Sequence, residues 1–318
     1  MKLLSIVVPY YNGEEWLEKF ISSLDTQTDN NFEVVFVSDG STDGSGELIN
    51  SFHQRPYRIN SLELERNSGV SVARNFGIQK SNGDLISFAD VDDILLPNFV
   101  ESRRSVFEHI DNMEVLMHKV ARLEIDGSRK DDVFPISETT IGSVLLSGNE
   151  IINYIFDGKA AGYSVQFTFA RTFVEKSDFD FPTDVHFMED VVWLSKVLSN
   201  KLVHVEDVVD YLYVQRESSV THQLNIDSAM NMESVLKVFS KQENMSRSLA
   251  GFLQRQMLLQ LYLVAKYSWN YTLYRNLWMR FSVFRKRFPD VEVQFNTFLF
   301  QSRIIWLLAK IKAILNRG

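Results

Sequence analysis

Residues 3–24 read LLSIVVPYYNGEEWLEKFISSL, and two different periods meet inside them. From Leu3 to Val8 the chain is apolar apart from Ser5, over the length of one strand. Beyond Asn12, the residues Trp16, Leu17, Phe20, Ile21 and Leu24 recur at helical spacing, with Asn12 placed to cap the helix. A strand apolar on both faces, followed at once by an amphipathic helix, is the unit of parallel sheets covered by helices. The unit repeats downstream. FEVVFV (32–37) precedes a helical STDGSGELINSF (41–52), RINSLEL (58–64) precedes GVSVARNFGIQKS (69–81), and LISFA (85–89) supplies a fourth strand. This order predicts an α/β fold, Rossmann-like, with a mostly parallel sheet and helices on both faces.

Further along the chain the alternation stops. Residues 101–222 mix strand-like stretches such as MEVLMHKVARLEIDG and VQFTFA with helical ones, and DGSRKDD reads as an exposed loop. From residue 223 the pattern is helical with few breakers, as in SAMNMESVLKVFSKQ and SRIIWLLAKIKAIL, so a C-terminal helical region is expected. The expected divisions are therefore 1–100, 101–222 and 223–318.

Composition narrows the function. The chain has 318 residues, 45% of them hydrophobic and 23% charged, which suits a globular protein with a sizeable core. It has no cysteine, which excludes disulfides, thiolate metal sites and a cysteine nucleophile, and fits a reducing, cytoplasmic setting. Its six histidines form no HExxH pair. The N-terminal apolar run has no small-residue cleavage site behind it, so it reads as a strand and not as a signal peptide. No apolar run approaches the roughly 20 residues of a membrane span. The net charge is −8, but residues 275–318 hold nine Lys or Arg against two acids, a net of +7, leaving −15 on the first 274. An acidic body argues against a nucleic-acid partner.

The fourth strand runs into LISFADVDDILLP (85–97), with Asp90, Asp92 and Asp93 crowded into four positions. Two like charges about 4 Å apart repel by roughly 4 kcal/mol at an effective dielectric of 20. Such a cluster needs water, a proton or a cation; a solvated acidic turn and a bound divalent metal both satisfy it. In doubly wound sheets ligands bind beyond the carboxyl ends of the strands. Pro9 to Asn12, Asp39 and Asp90 to Asp93 all fall at that end, so three polar features converge on one rim.

Several chemistries compete for this rim. The match to DxDx(T/V)L suggests a haloacid-dehalogenase-like phosphatase with Asp90 as nucleophile, although that motif belongs on a first strand. Gly40, Gly44 and Gly46 do not make a GxGxxG dinucleotide fingerprint. A nucleotide-sugar site, with a DxD carboxylate holding a metal against a diphosphate, accounts for more of the residues.

Five ordered segments, SIVVPYYNGEEWLEKFISSLDTQT, FEVVFVSDGSTDGS, RNSGVSVARNFGI, GDLISFADVDDILLPNF and FMEDVVWL, resemble the family 2 glycosyltransferases of GT-A fold over about residues 3–222. The resemblance implies an inverting enzyme that moves a sugar from a UDP-sugar to a glycan hydroxyl, the acceptor being lipid-linked or part of a cell-surface polysaccharide. It implies Mn²⁺ or Mg²⁺ as cofactor. On the donor side it implies Pro9, Tyr11, Asn12, Asp39, Asn67, Arg74, Asp90 and Val91. Tyr11 would lie on the uracil face, Asp39 would accept from its N3, and Arg74 would contact base or ribose or pair with a rim Asp. Metal ligation would fall to Asp92 with Asp90, and His222 in YLYVQRESSVTH would reach the metal or the diphosphate. Asp190 would be the base, with Glu189 orienting the acceptor. Asp93 would cap the turn, while Gly69 and Gly77 would serve helix entry and packing. Two departures stand out: Ser38 precedes Asp39 where the family often has Asp, and Lys196 stands where it usually has Arg. A subunit that binds nucleotide-sugars without catalysis is the remaining alternative.

The basic tail, NLWMRFSVFRKRF and QSRIIWLLAKIKAILNRG, mixes aromatic and aliphatic residues with Arg and Lys. Helices of that composition lie in an anionic membrane interface, which would make the protein peripheral on the inner face of the plasma membrane, or pair with a second copy in a homodimer.

Overall fold

The computed structural model describes residues 1–52, 54–131, 143–216, 226–239, 245–268 and 270–288. His222, most of the segment around it, and the second half of the basic tail lie outside the described residues.

The expected strand-helix alternation is present: β1 (Leu4–Tyr10), α1 (Glu14–Asp25), β2 (Phe32–Ser38), α2 (Ser45–Ser51), β3 (Arg58–Glu63), α3 (Val70–Lys80) and β4 (Leu85–Phe88). These four strands are parallel in the order β3-β2-β1-β4. Because β4 lies on the opposite side of β1 from β2, the right-handed crossover rule puts α3 on the other face from α1 and α2. The side chains of β2 divide accordingly. Phe36 meets Phe20 of α1 edge-on with ring centroids 5.9 Å apart, while Val35 and Val37 pack with Ala73 of α3. Strands buried on both faces carry the near-continuous apolar runs seen in the sequence. At Gly77 a Cβ would sit 2.5 Å from Val7 Cγ1 and 3.0 Å from Val37 Cγ2, so α3 lies close on the sheet only because this residue has none.

The second part of this unit extends the same sheet with strands of both senses. It comprises β5 (Ile94–Leu95), α4 (Phe99–His109), β6 (Val115–Leu123), β7 (Arg129–Asp131), β8 (Ser143–Ser147), α5 (Gly148–Asp157), β9 (Phe167–Ala170), α6 (Arg171–Lys176), α7 (Glu189–Val197) and β10 (Leu202–Val214). Strand β9 enters antiparallel between β4 and β6, and β10 runs parallel to β6. DGSRKDD is not simply loop. Gly127 turns at φ 81, and Arg129 to Asp131 fold back on β6 as a short hairpin arm.

The chain divides into two compact units, Met1–Thr183 with Glu189–Arg216, and Asp184–Met188 with Glu217–Gly318. The second contains α8 (Ile226–Phe239), α9 (Arg247–Tyr267) and α10 (Tyr271–Arg287). Within it, Gln260 Nε2 donates to the Ala229 carbonyl at 2.9 Å and Arg280 pairs with Glu233 at 2.9 Å. Helix α10 buries Tyr274, Leu277 and Phe281, while Met279 and Val283 are exposed. No helix among the described residues is long and apolar enough to cross a membrane.

Candidate active site

Strand β4 pairs with β1 only as far as Val7, so the two part just before Pro9 and open a crevice at the topological switch point. Proline suits this place because it has no backbone N–H to leave unpaired. Past it the chain turns sharply. Asn12 adopts φ 50, its Oδ1 accepts from Thr42 N at 2.8 Å, and its own N–H donates to Ser41 Oγ at 3.0 Å. The expected cap is therefore absent: α1 begins after Gly13 without a side-chain cap, and the Asn12 side chain instead ties the first rim loop to the second. Tyr11 stands exposed at the mouth.

Asp39 directly follows β2 and is almost fully buried. Its two oxygens accept from Ser68 N at 2.7 Å and Gly69 N at 2.8 Å, fixing the entry of α3. Each oxygen keeps a second lone pair for a ligand donor. Gly40 beside it has φ 69, and a Cβ there would lie 2.6 Å from Asn67 N, so the loop holding the exposed Asn67 closes directly over this glycine. Val91 is buried in the loop after β4, its Cγ1 3.1 Å from where a Gly13 Cβ would stand.

The centre of the site is Arg74, delivered by α3 and 4% exposed. Its guanidinium reaches Asp90 Oδ1 at 3.2 Å, Glu189 Oε1 at 3.3 Å and Asp190 Oδ1 at 2.9 Å, and lies 5.3 Å from the Phe181 ring centroid. Its Nε has no hydrogen-bond partner among the described residues. One cation thus gathers carboxylates from the loop after β4 and from the first turn of α7. Burial pushes the Asp90 carboxyl up to about 6, with Arg74 pulling it down and Asp92 and Asp190 pushing it up. Glu189 is raised by burial and then by the Asp190 charge. The far oxygen of Asp190, Oδ2, accepts from Ser164 N at 3.0 Å and Ser164 Oγ at 3.1 Å. Met188, just before the acidic pair, takes φ 57, a region bulky residues rarely enter.

Asp93 faces inward. Tyr211 Oη donates to its Oδ2 at 2.7 Å and Val214 N to its Oδ1 at 2.8 Å, and Tyr211 Oη accepts from Asp90 N at 3.0 Å. Burial, then the charges of Asp92 and Asp90, hold its carboxyl well above the usual range. Asp92 points the other way and pairs with Arg216, whose guanidinium lies 4.7 Å from the Trp16 ring centroid.

The residues suit a hard divalent cation. Asp90 and Asp92 each commit one oxygen to an arginine and keep the other. Four carboxylates, Asp90, Asp92, Glu189 and Asp190, face two guanidiniums, leaving two negative charges. No ready cluster of three or more protein ligands exists among the described residues.

Asp39 and Asn67 sit at the entry of α3 and Asn12 between the first two rim loops, and of the other expected residues Arg74, Asp90, Glu189 and Asp190 meet in one cluster. Lys196 does not: its ammonium meets the Asp180 carbonyl at 2.9 Å and Asp178 at 3.2 Å. Sequence reading missed Ser164, Tyr211, Arg216 and Trp16. A period of two along β10 could have placed Tyr211 and Tyr213 on one face; nothing marks Ser164.

The model of "Glycosyl transferase family 2" matches residues 5–160. Glycosyltransferase GlyG of Streptococcus pneumoniae is 28% identical over 252 residues, 76% of this chain and 79% of that protein. Glycosyltransferase GlyA of the same organism is 42% identical over 99 residues, 31% of this chain but only 14% of its own length. Among solved structures, S. aureus TarS 1-349 in complex with UDP-GlcNAc superposes with TM-score 0.61 at 19% identity, over 96% of this chain and 79% of that one. The family 2 glycosyltransferase match thus takes in four of the five ordered motifs of the rim, and the chain has the GT-A fold.

Proposed function

We propose that the protein transfers a sugar from a UDP-sugar to a hydroxyl of a glycan, with inversion at the anomeric carbon. The observation that carries this reading is the joining of the loop after β4 to Glu189 and Asp190 through Arg74, which puts a diphosphate-side carboxylate and a base about one guanidinium apart. Residues 1–100 hold the nucleotide and residues 101–216 shape the acceptor side. In TarS the donor bound is UDP-GlcNAc, and Tyr11, Asp39 and Asn67 occupy positions here that suit a uridine.

The chemistry follows from the groups present. Asp190 takes the proton of the acceptor hydroxyl as that oxygen bonds to the anomeric carbon. The bond from that carbon to the diphosphate oxygen breaks, and UDP leaves with the electron pair. Ser164 and Arg74 hold the two oxygens of Asp190, so its orientation is set before substrate arrives. A Mn²⁺ or Mg²⁺ ion at Asp92 and Asp90 would supply Lewis-acid stabilisation of the leaving diphosphate. The phosphatase alternative has no support from the family assignment, and in this fold Asp90 follows the fourth strand, not the first.

Helix α10 carries Arg275, Arg280, Arg285, Lys286 and Arg287 and no acidic residue. With Met279 and Val283 exposed between them, it suits an anionic lipid surface, and so an acceptor that is lipid-linked at the cytoplasmic face. The deciding experiment is calorimetric titration with UDP, UDP-GlcNAc, UDP-glucose and UDP-galactose, with and without Mn²⁺. Metal-dependent UDP binding in the micromolar range is expected, and no binding of any of the four overturns the reading.

A further inference from the structure

Two structural features flank Asp190 and the loop after β4. On β10, Tyr211 sends its hydroxyl to Asp90 N and Asp93. The pairing of β10 with β6 runs without a bulge from Tyr211 to Val214, so side chains alternate regularly there. Tyr213 therefore stands on the same face as Tyr211, one step nearer the rim. From the other side comes Tyr163, the residue before Ser164, whose N–H and hydroxyl both hold Asp190. The rings of Tyr163 and Tyr213 stack with centroids 5.6 Å apart and planes 7° apart. Both are partly exposed. The stack of Phe181 on Trp193, by contrast, is buried beneath the site.

We propose that Tyr163 and Tyr213 form the platform that receives the acceptor sugar, an inference that rests on the glycosyltransferase reading above. A pyranose presents a face of C–H groups that packs on an aromatic ring, and its hydroxyls hydrogen-bond at the edge. Tyrosine offers both an apolar body and a polar tip at low entropic cost. One ring is tied through the backbone to the residue that orients the base, and the other through its strand to the loop that holds the donor carboxylates. A sugar on this pair would thus be registered against both reacting partners.

The test uses the full chain with UDP and Mg²⁺ and, as probes, the methyl α- and β-glycosides of glucose, galactose and N-acetylglucosamine, followed by saturation-transfer difference NMR. Ring C–H protons of at least one glycoside should receive saturation. Tyr163→Ala and Tyr213→Ala should each weaken that glycoside about tenfold or more, while Tyr213→Phe stays within about threefold of wild type, since stacking is kept. UDP affinity by calorimetry should be unchanged in all three. If the alanine variants bind the glycoside as wild type does, lose UDP binding along with it, or if a UDP-binding wild type shows no glycoside contact, the platform assignment is wrong. A wild type that binds no UDP overturns the glycosyltransferase reading itself, which is a separate result.

Discussion

At the scale of single residues, Arg74 decides the state of the site. Asp190→Asn keeps the shape and most hydrogen bonds while removing the proposed base, so transfer should fall roughly 10²-fold or more with UDP affinity intact. A normal turnover rate in that variant would give the proton to another group. Arg74→Gln leaves Asp90, Glu189 and Asp190 together without their shared cation. Removing one partner of a buried ion pair costs about 3–5 kcal/mol, and a fall of the urea midpoint on that scale is expected; an unchanged midpoint would make Arg74 a ligand contact only. Carboxylates at strand ends were legible in the sequence, because a crowd of Asp after an apolar strand demands a reason. Their partners were less so. Ser164 is one serine among many, and Arg216 lies 124 positions from the Asp92 it neutralises.

At the scale of elements, β1, β2 and β4 could be read in advance because each is buried on both faces and announces itself as an apolar run, while the edge strand β3 shows only a partial alternation. Of the rest of the sheet, β6 and β9 lie in stretches that read as strand-like, but their order and direction could not be read. Strand β9 is only four residues long and owes its antiparallel place between β4 and β6 to tertiary pairing. A buried polar network holds this region. Asp210 accepts from Arg103 Nε at 2.8 Å and Nη2 at 3.0 Å and contacts His118 Nδ1 at 2.5 Å, with all three residues buried. Against the cost of burial, Arg103 and then His118 hold the Asp210 carboxyl down to about 2. Between the ordinary aspartate value and about 2 the unfolded chain binds a proton that the folded chain does not. Stability from this group is thus complete above about pH 4 and lost as pH falls toward 2. Asp210→Asn should lower unfolding free energy by about 3–5 kcal/mol and flatten the acid limb of a stability-against-pH curve. A wild-type acid limb in the variant would remove the network from the account.

At the scale of the whole molecule, a charge reading that divided an acidic body from a basic tail located a helix whose exposed side is cationic. If α10 meets anionic lipid, the intact protein should co-sediment with phosphatidylglycerol vesicles at low salt and release as ionic strength rises past about 0.15 M, where the Debye length is about 8 Å. Met279→Asp with Val283→Asp should reduce co-sedimentation without altering UDP affinity; indifference to the vesicles at low salt would assign α10 to protein contacts.

The path of the backbone between Thr183 and Glu189 bears on how such a protein can be recombined. Residues 184–188 belong to the helical unit, and the chain returns from them straight into Glu189 and Asp190. The helical unit is therefore not a detachable cassette following residue 216. A gene fusion that exchanged only the C-terminal hundred residues would strand a five-residue insert directly before Glu189 and Asp190. A working chimera has to carry both pieces from one parent, so these two stretches should be inherited together.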